Sequence, residues 1–323
     1  MMDTLRKGRI LLSLTGWSPD VWLETLRHEA PDRDIVLAPD HAADPTIDYA
    51  VVWKQPHGIL KDLPNLKAIF SIGAGVDHLF QDPHVPDVPI VRVVSPDLTL
   101  RMSEYVVWQV LDHHRKGQAY RDQQRRCVWR EDLTQKSADE VTVGIMGLGH
   151  LGLDAATKLQ ALGFRVTGWS RRPKDVAPYI TLFTGEAQLG AFLGSADMIV
   201  CLLPLTPETA GILAAPLFAQ MKKAGPDFAG PILINAGRGG LQNEADILAA
   251  LDNGALAAAS LDVFESEPLP ASSPLWHHPR VTITPHAAAA SSRAKIIPPM
   301  VAQMNRHDAG GPLTDLVDRT AGY

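Results

Sequence analysis

The sequence predicts an α/β protein made of two doubly wound parallel-sheet domains, one of them discontinuous. Three observations lead there. A strand, glycine turn, helix and strand follow one another at 141–172. Short β-branched apolar runs alternate with helical stretches on either side of it, and 323 residues suit two domains better than one. A hydrophobic fraction of 46% is enough for ordinary packed cores.

In chain order, strands are expected at 10–14, 34–38, 49–53, 68–71 and 90–94, with helical pieces at 21–28 and 60–63. This is a small α/β unit of flavodoxin-like type. From 100 to about 118 the pattern becomes one long helix, dense in apolar residues such as Tyr105, Val106, Val110 and Leu111, and suited to bridging into a second domain. Residues 119–136 are polar and arginine-rich around Trp129 and are expected to project outward.

The run 141–146 reads as a buried strand that stops at glycine. Gly147-Leu148-Gly149-His150-Leu151-Gly152 then leads into Leu151, Ala155, Leu159 and Leu162 at helical spacing, until Gly163 ends the helix and a second strand follows at 164–169. This is the first half of a Rossmann-like dinucleotide-binding unit. Gly147 allows the tight turn, Gly149 admits a pyrophosphate to the backbone, and Gly152 lets the helix close on the strand. Free amides and the helix dipole hold the phosphates.

At the end of the second strand an NAD-binding unit usually carries an acidic residue for the ribose 2′-hydroxyl. This chain has Ser170-Arg171-Arg172-Pro173. Two guanidiniums suit a 2′-phosphate and Ser170 can donate to one, so NADPH is expected in preference to NADH, with NADH as the alternative donor. A solvated basic turn is the other reading.

The alternation continues with strands at 197–203, 231–235, 257–264 and 281–284, a helical stretch at 215–220 and a helix at 244–252. The domain boundaries expected are 1–99 with 288–323 for a substrate-binding domain, and 100–287 for the dinucleotide-binding domain. In open parallel sheets ligands bind beyond the carboxyl ends of the strands. Those ends carry Leu203-Pro204-Leu205-Thr206, Asn235-Ala236-Gly237-Arg238-Gly239-Gly240, Asp262-Val263-Phe264-Glu265-Ser266-Glu267 and Thr284-Pro285-His286.

With the glycine turn, these segments resemble the D-isomer-specific 2-hydroxyacid dehydrogenase family over 73–286. Val52-Trp53, Ile72-Gly73-Ala74-Gly75-Val76-Asp77, Met102-Ser103-Glu104-Tyr105, Tyr120-Arg121-Asp122-Gln123-Gln124 and the run 273–279 resemble its glyoxylate and hydroxypyruvate reductase branch. The resemblance implies NADPH-dependent reduction of glyoxylate or hydroxypyruvate by a homodimer. Reducing a 2-keto acid needs a hydride donor, a cation for the carboxylate and an acid for the oxygen. Arg238 offers the planar fork, His286 the proton, and Glu267 a carboxylate to orient the imidazole. By the same resemblance Leu203, Pro204, Thr206, Ala236 and Asp262 line the cofactor, Asp262 orienting its nicotinamide amide or ribose. The amides of Ala74 and Gly75 bind the substrate carboxylate, and Trp53 and Trp276 wall a small pocket. A plain tight turn is an equal reading of Ala74-Gly75, and core packing of either Trp.

The net charge of -6, with scattered basic residues, argues against a nucleic-acid surface. Two cysteines, Cys127 and Cys201, imply no disulfide framework and suit a reducing cytoplasm; Cys201 reads as a small core residue. The N-terminal residues 1–7 and the short run 10–14 read as a first strand rather than a signal peptide, and no stretch of about 18 apolar residues implies a membrane span. No metal-ligating set is assigned. Pro298-Pro299 is expected to interrupt a returning helix at 291–307. Other function classes are a cofactor-sensing regulator that binds partner proteins, or a sister enzyme such as a D-lactate dehydrogenase.

Overall fold

The computed structural model describes residues 7–40, 43–225, 228–290 and 292–323. The N-terminal residues 1–6 and Ser291, the expected start of the returning helix, lie outside these. The first part of the chain forms β1 (Arg9–Leu14), α1 (Asp20–Glu29), β2 (Ile35–Leu37), β3 (Ile47–Trp53), β4 (Ala68–Ser71), α2 (Asp77–Phe80) and β5 (Ile90–Val91). Then come α3 (Pro96–His114), α4 (Gly117–Arg125), β6 (Thr142–Met146), α5 (His150–Ala161), β7 (Arg165–Ser170), β8 (Ile180–Thr184), α6 (Leu189–Ser195), β9 (Met198–Cys201) and α7 (Ala215–Phe218). The last elements are β10 (Ile232–Asn235), α8 (Glu244–Asp252), β11 (Ala258–Leu261), β12 (Val281–Ile283) and α9 (Arg293–Asp308). The chain divides into two compact units, Met1–Asp97 with Ser291–Tyr323, and Leu98–Ala290.

Among the described residues the first unit holds a five-stranded parallel sheet in the order β2-β1-β3-β4-β5, the flavodoxin-like arrangement. Its inner strands β1, β3 and β4 are mostly buried, so they read as largely apolar runs. Leu11, Ala50, Val52 and Ile69 join one core with Leu60, Leu63 and Leu66. Residues 60–63, expected as helical, form turns instead. Their leucine spacing serves this packing, and so few residues cannot offset the cost of nucleating a helix.

Helix α9 contacts α1 and runs unbroken through Pro298 and Pro299, against the expected interruption. The carbonyls that lose a proline donor belong to Ala294 and Lys295, both exposed, where water can take their hydrogen bonds. Ile296, Ile297, Met300, Val301 and Met304 are buried. At its end the Tyr49 hydroxyl donates to Asp308 at 2.9 Å, and the Asp308 carboxylate also accepts from Arg33, whose side chain is fully buried, and from Lys67. Burial raises the Asp308 pKa, but these donors outweigh it and leave the group below the usual carboxylate range.

The second unit holds a seven-stranded parallel sheet ordered β12-β11-β10-β9-β6-β7-β8 among the described residues. The chain starts at β6, winds outward to β8, then returns to β9 on the other side, which is Rossmann topology with its switch point between β6 and β9. Alternate strand residues enter two cores. Ile199, Cys201 and Leu233 pack with α6 and α8, and Val143, Val200 and Ile234 with α3 and α5. Cys201 is fully buried, and burial pushes its thiol up to about 12.

The long helix expected to about 118 ends at His114. Lys116 adopts a left-handed conformation, φ 56°, and α4 restarts at Gly117. Helix α4 buries no residue, and beyond it Trp129 is wholly exposed. Among the described residues no helix is long and apolar enough to cross a membrane.

Candidate active site

One lateral row across the second sheet sets out the candidate segments. Trp169 pairs with Met146, Met146 with Cys201, Cys201 with Asn235, Asn235 with Leu261, and Leu261 with Ile283. Parallel neighbours lie about 4.8 Å apart, so the loops that follow start side by side at the carboxyl edge. In that order they carry Ser170-Arg171-Arg172, the glycine turn, Leu203-Pro204, Arg238, Asp262 to Glu267, and His286.

The glycine turn stands at the switch point. Gly147 has φ 103°, and a Cβ there would lie 2.7 Å from the Leu202 carbonyl oxygen. A Cβ on Gly152 would fall 2.1 Å from the Gly147 oxygen, so the first turn of α5 can approach the strand end only without one. Gly149 differs. It caps α5, is exposed with His150, and nothing lies within 4 Å of where its Cβ would be. An open backbone at the amino end of a 12-residue helix fits a pyrophosphate. Leu148 turns its side chain into the core against Gly168, and Leu151 is partly buried against the same core.

At the end of β7, Ser170 Oγ donates to the Arg172 carbonyl at 2.7 Å, shaping the basic turn. Arg172 is exposed, whereas Arg171 contacts Glu208 at 3.4 Å. The Thr206 hydroxyl beside Glu208, with help from Arg171, holds that carboxyl below its usual range. Lys174 Nζ donates to the Leu148 carbonyl at 2.5 Å, a third cation beside the glycine turn. These groups suit a 2′-phosphate, and Ser170 stands where a carboxylate would repel it.

Leu203 and Ala236 lie in the two cores, so their side chains are structural and their backbone edges the turn. Thr206 is buried, and its N–H donates to Thr209 Oγ1, which in turn donates to the Pro204 carbonyl. That closes a self-contained loop cap.

His286 and Glu267 are brought together. Nδ1 of the imidazole lies 2.9 Å from one carboxylate oxygen and 3.1 Å from the other. Since the carboxylate accepts, Nδ1 carries the hydrogen and Nε2 is the ring atom open to another partner. His286 has φ 52°, which costs about 1 kcal/mol or more for a non-glycine residue. Asp262, buried at the end of β11, holds the strained residue in place. Its Oδ1 accepts from Thr284 Oγ1 and the Ala287 N–H, its Oδ2 from the Ala288 N–H, and its carbonyl from the His286 N–H. Hydrogen bonds to a charged group contribute about 1.5–3 kcal/mol each, enough to outweigh the strain. This carboxylate therefore shapes the histidine loop, beyond the cofactor contact expected of it.

Arg238 is tied to the same frame. Its Nη1 donates to the Gly237 carbonyl, and its own carbonyl accepts from Asn235 Nδ2, which also donates to Gln242 Oε1. Gln242 Nε2 donates to the Val263 carbonyl, joining the loops after β10 and β11. Gly239 packs on Phe264 so closely that a Cβ would overlap its carbonyl. Glu265 and Glu244 exchange side-chain to backbone bonds, so Glu267 alone of the two neighbouring glutamates meets His286. Trp276 is half exposed and donates to the Pro270 carbonyl, on the loop that also carries Glu267.

In the first unit Trp53 ends β3, stacks on Trp17 with centroids 5.5 Å apart, and lies against Gly73, where a Cβ would come within 2.1 Å of its ring. It thus joins the partly exposed turn of Ala74 and Gly75.

The D-isomer specific 2-hydroxyacid dehydrogenase, NAD binding domain, matches residues 107–288. The chain belongs to the D-isomer specific 2-hydroxyacid dehydrogenase family. It is 40% identical to glyoxylate/hydroxypyruvate reductase A of Yersinia enterocolitica over 94% of this chain and 96% of that one. It also resembles the NADPH-dependent glyoxylate/hydroxypyruvate reductase of Sinorhizobium meliloti, solved with NADP and sulfate, at a TM-score of 0.90 and 46% identity, covering 98% of this chain and all (100%) of that one. A protein of Rhizobium etli named probable 2-hydroxyacid dehydrogenase, solved with NADP, HEPES and tartaric acid, gives a TM-score of 0.91 and 42% identity over 98% of this chain and 100% of that one.

In this 2-hydroxyacid dehydrogenase, several site residues carry no local sequence signal. Lys174 follows a proline beyond the basic pair, Asn235 acts through the turn that follows it, and Gln242 and Thr284 act through partners far along the chain. Only their places beside strand ends mark them.

Proposed function

We propose that the chain reduces small 2-keto acids with NADPH, glyoxylate to glycolate and hydroxypyruvate to D-glycerate. The observation that carries this reading is the His286–Glu267 pair, on the strand-end row that also bears Arg238 and the glycine turn. Relatives named glyoxylate/hydroxypyruvate reductase A and a neighbour solved with NADP support it.

The unit from Leu98 to Ala290 binds the dinucleotide. Gly149, His150 and Leu151 offer backbone N–H groups to its phosphates, while Ser170, Arg171 and Arg172 take the 2′-phosphate, with NADH as a weaker donor. The bound cofactor supplies a hydride. Arg238 holds the substrate carboxylate and the ketone oxygen. His286, oriented through Nδ1 by Glu267, gives the Nε2 proton to that oxygen as negative charge builds on it. Pro204 and Asp262 border the cofactor, and Trp276 borders the substrate. The first unit binds substrate, through the amides of Ala74 and Gly75 and the ring of Trp53.

The protein works as a homodimer in the cytoplasm, using the exposed surface around Trp129. Measuring kcat/KM for glyoxylate, hydroxypyruvate and pyruvate with each cofactor tests the reading. It requires the first two with NADPH to be the best pairings, and preference for pyruvate with NADH would contradict it.

A further inference from the structure

We propose that Tyr105 is a positioning residue for the reduction: through Thr284 and Asp262 its hydroxyl fixes the backbone at His286 and so the direction of the imidazole. The proposal rests on the reading of His286 as the acid.

Tyr105 lies on α3, far along the chain from the histidine loop, and is buried among Met102, Val106 and their neighbours. Its phenol oxygen is 2.9 Å from Thr284 Oγ1, which is 2.7 Å from Asp262 Oδ1. The direction of this chain follows from its members. A carboxylate only accepts, so the single hydroxyl hydrogen of Thr284 goes to Asp262. Thr284 then has only lone pairs left for Tyr105, and Tyr105 must donate. Burial raises the phenol's pKa, so the donor keeps its hydrogen through the neutral range.

Asp262 gathers what lies on both sides of His286. It accepts from the Thr284 side chain before it, from the His286 N–H itself through the Asp262 carbonyl, and from the Ala287 and Ala288 N–H groups after it. A left-handed histidine held at so many neighbouring points presents its ring in one direction. Removing the Tyr105 donor leaves Thr284 with an unfilled lone pair in a partly buried site, free to turn from Asp262 toward water. A purely packing role would need only the ring, which phenylalanine also supplies. The hydroxyl separates the two roles.

Tyr105→Phe is compared with the natural chain for kcat, substrate KM, NADPH affinity and Tm. We expect kcat to fall about 10-fold, as small misplacements of reacting groups do, with NADPH affinity within about twofold. Thr284→Val should match or exceed that loss. The double variant should fall no further than Thr284→Val alone, because both changes break one chain. Thr284→Ser, which keeps the hydroxyl, should lose less than Thr284→Val. An unchanged kcat in Tyr105→Phe, or a loss matched by weaker NADPH binding and a lowered Tm, overturns the proposal. His286→Asn separates it from the reading beneath it. If that variant loses turnover while Tyr105→Phe does not, only the positioning role fails; if His286→Asn keeps full turnover, both fail.

Discussion

His286 Nδ1 lies between the two oxygens of Glu267, 2.9 and 3.1 Å away, and this leaves Nε2 as the ring atom that can face a substrate. In the proposed reaction the carboxylate would fix the tautomer and stabilise an imidazolium that donates the proton. Glu267→Gln keeps the shape and removes the charge. Its kcat should fall by about 10²-fold or more, with NADPH affinity within about twofold, as stopped-flow and equilibrium titration would show. Undiminished turnover would remove Glu267 from the chemistry.

Arg238 is set by the Asn235 and Gln242 amides at a strand end, and its planar fork is the group proposed to hold the substrate carboxylate. Arg238→Lys keeps the charge and loses the fork. A fall of about 10²-fold in kcat/KM is expected, shared between kcat and KM because the contact exists before and during reaction. Steady-state kinetics with glyoxylate would measure it.

Arg171 and Arg172 are the residues proposed to set the choice of cofactor. Replacing both with Ala should weaken NADPH about 10- to 100-fold and leave NADH nearly unchanged, the loss of one or two charged hydrogen bonds. Glu208 now shares Arg171, so Glu208→Gln should strengthen NADPH instead. Fluorescence titration with both cofactors checks the pair; equal losses for NADPH and NADH would contradict the phosphate role.

His113 predicts a dependence of stability on pH. Burial against β11 pushes its pKa down to about 4 from 6.5, and its Nε2 donates to Ser260, whose hydroxyl is already given to Gln109. Between pH 6.5 and 4 the unfolded chain takes up a proton that the folded chain refuses. Stability should therefore fall as pH drops through this window, by at most about 1.4 kcal/mol per unit, and level off below it. Thermal melts of His113→Gln should show a shallower slope over the same range.

Trp129 is fully exposed beyond a helix that buries nothing of its own. Large apolar surface left open in this way suits association. Trp129→Ala should shift the protein toward monomer, and light scattering of the natural chain and the variant would show it.

The central part of the fold is legible in the sequence because strands buried on both faces form mostly apolar runs, as in 141–146 and 231–235. β8 and α6 are not. β8 is an edge strand whose residues are mostly half-exposed, and α6 is short and carries Gly190 and Gly194. Pro298 and Pro299 mislead for a related reason. Local chemistry argues for a break, but the buried face of α9 outweighs it, and the freed carbonyls belong to exposed residues. In the site, Arg238, Glu267 and His286 stand where strand ends lead the eye. Gln242, Thr284 and Tyr105 matter through bonds that form only once distant segments meet, and no local pattern records those.

The most direct test of the account is turnover of NADPH with glyoxylate or hydroxypyruvate by the natural chain and by His286→Asn, with NADPH affinity measured for both. The account predicts turnover by the natural chain, a loss of about 10²- to 10⁴-fold in kcat for the variant, and equal NADPH affinity. No NADPH consumption with either acid, or full turnover in the variant, would contradict it.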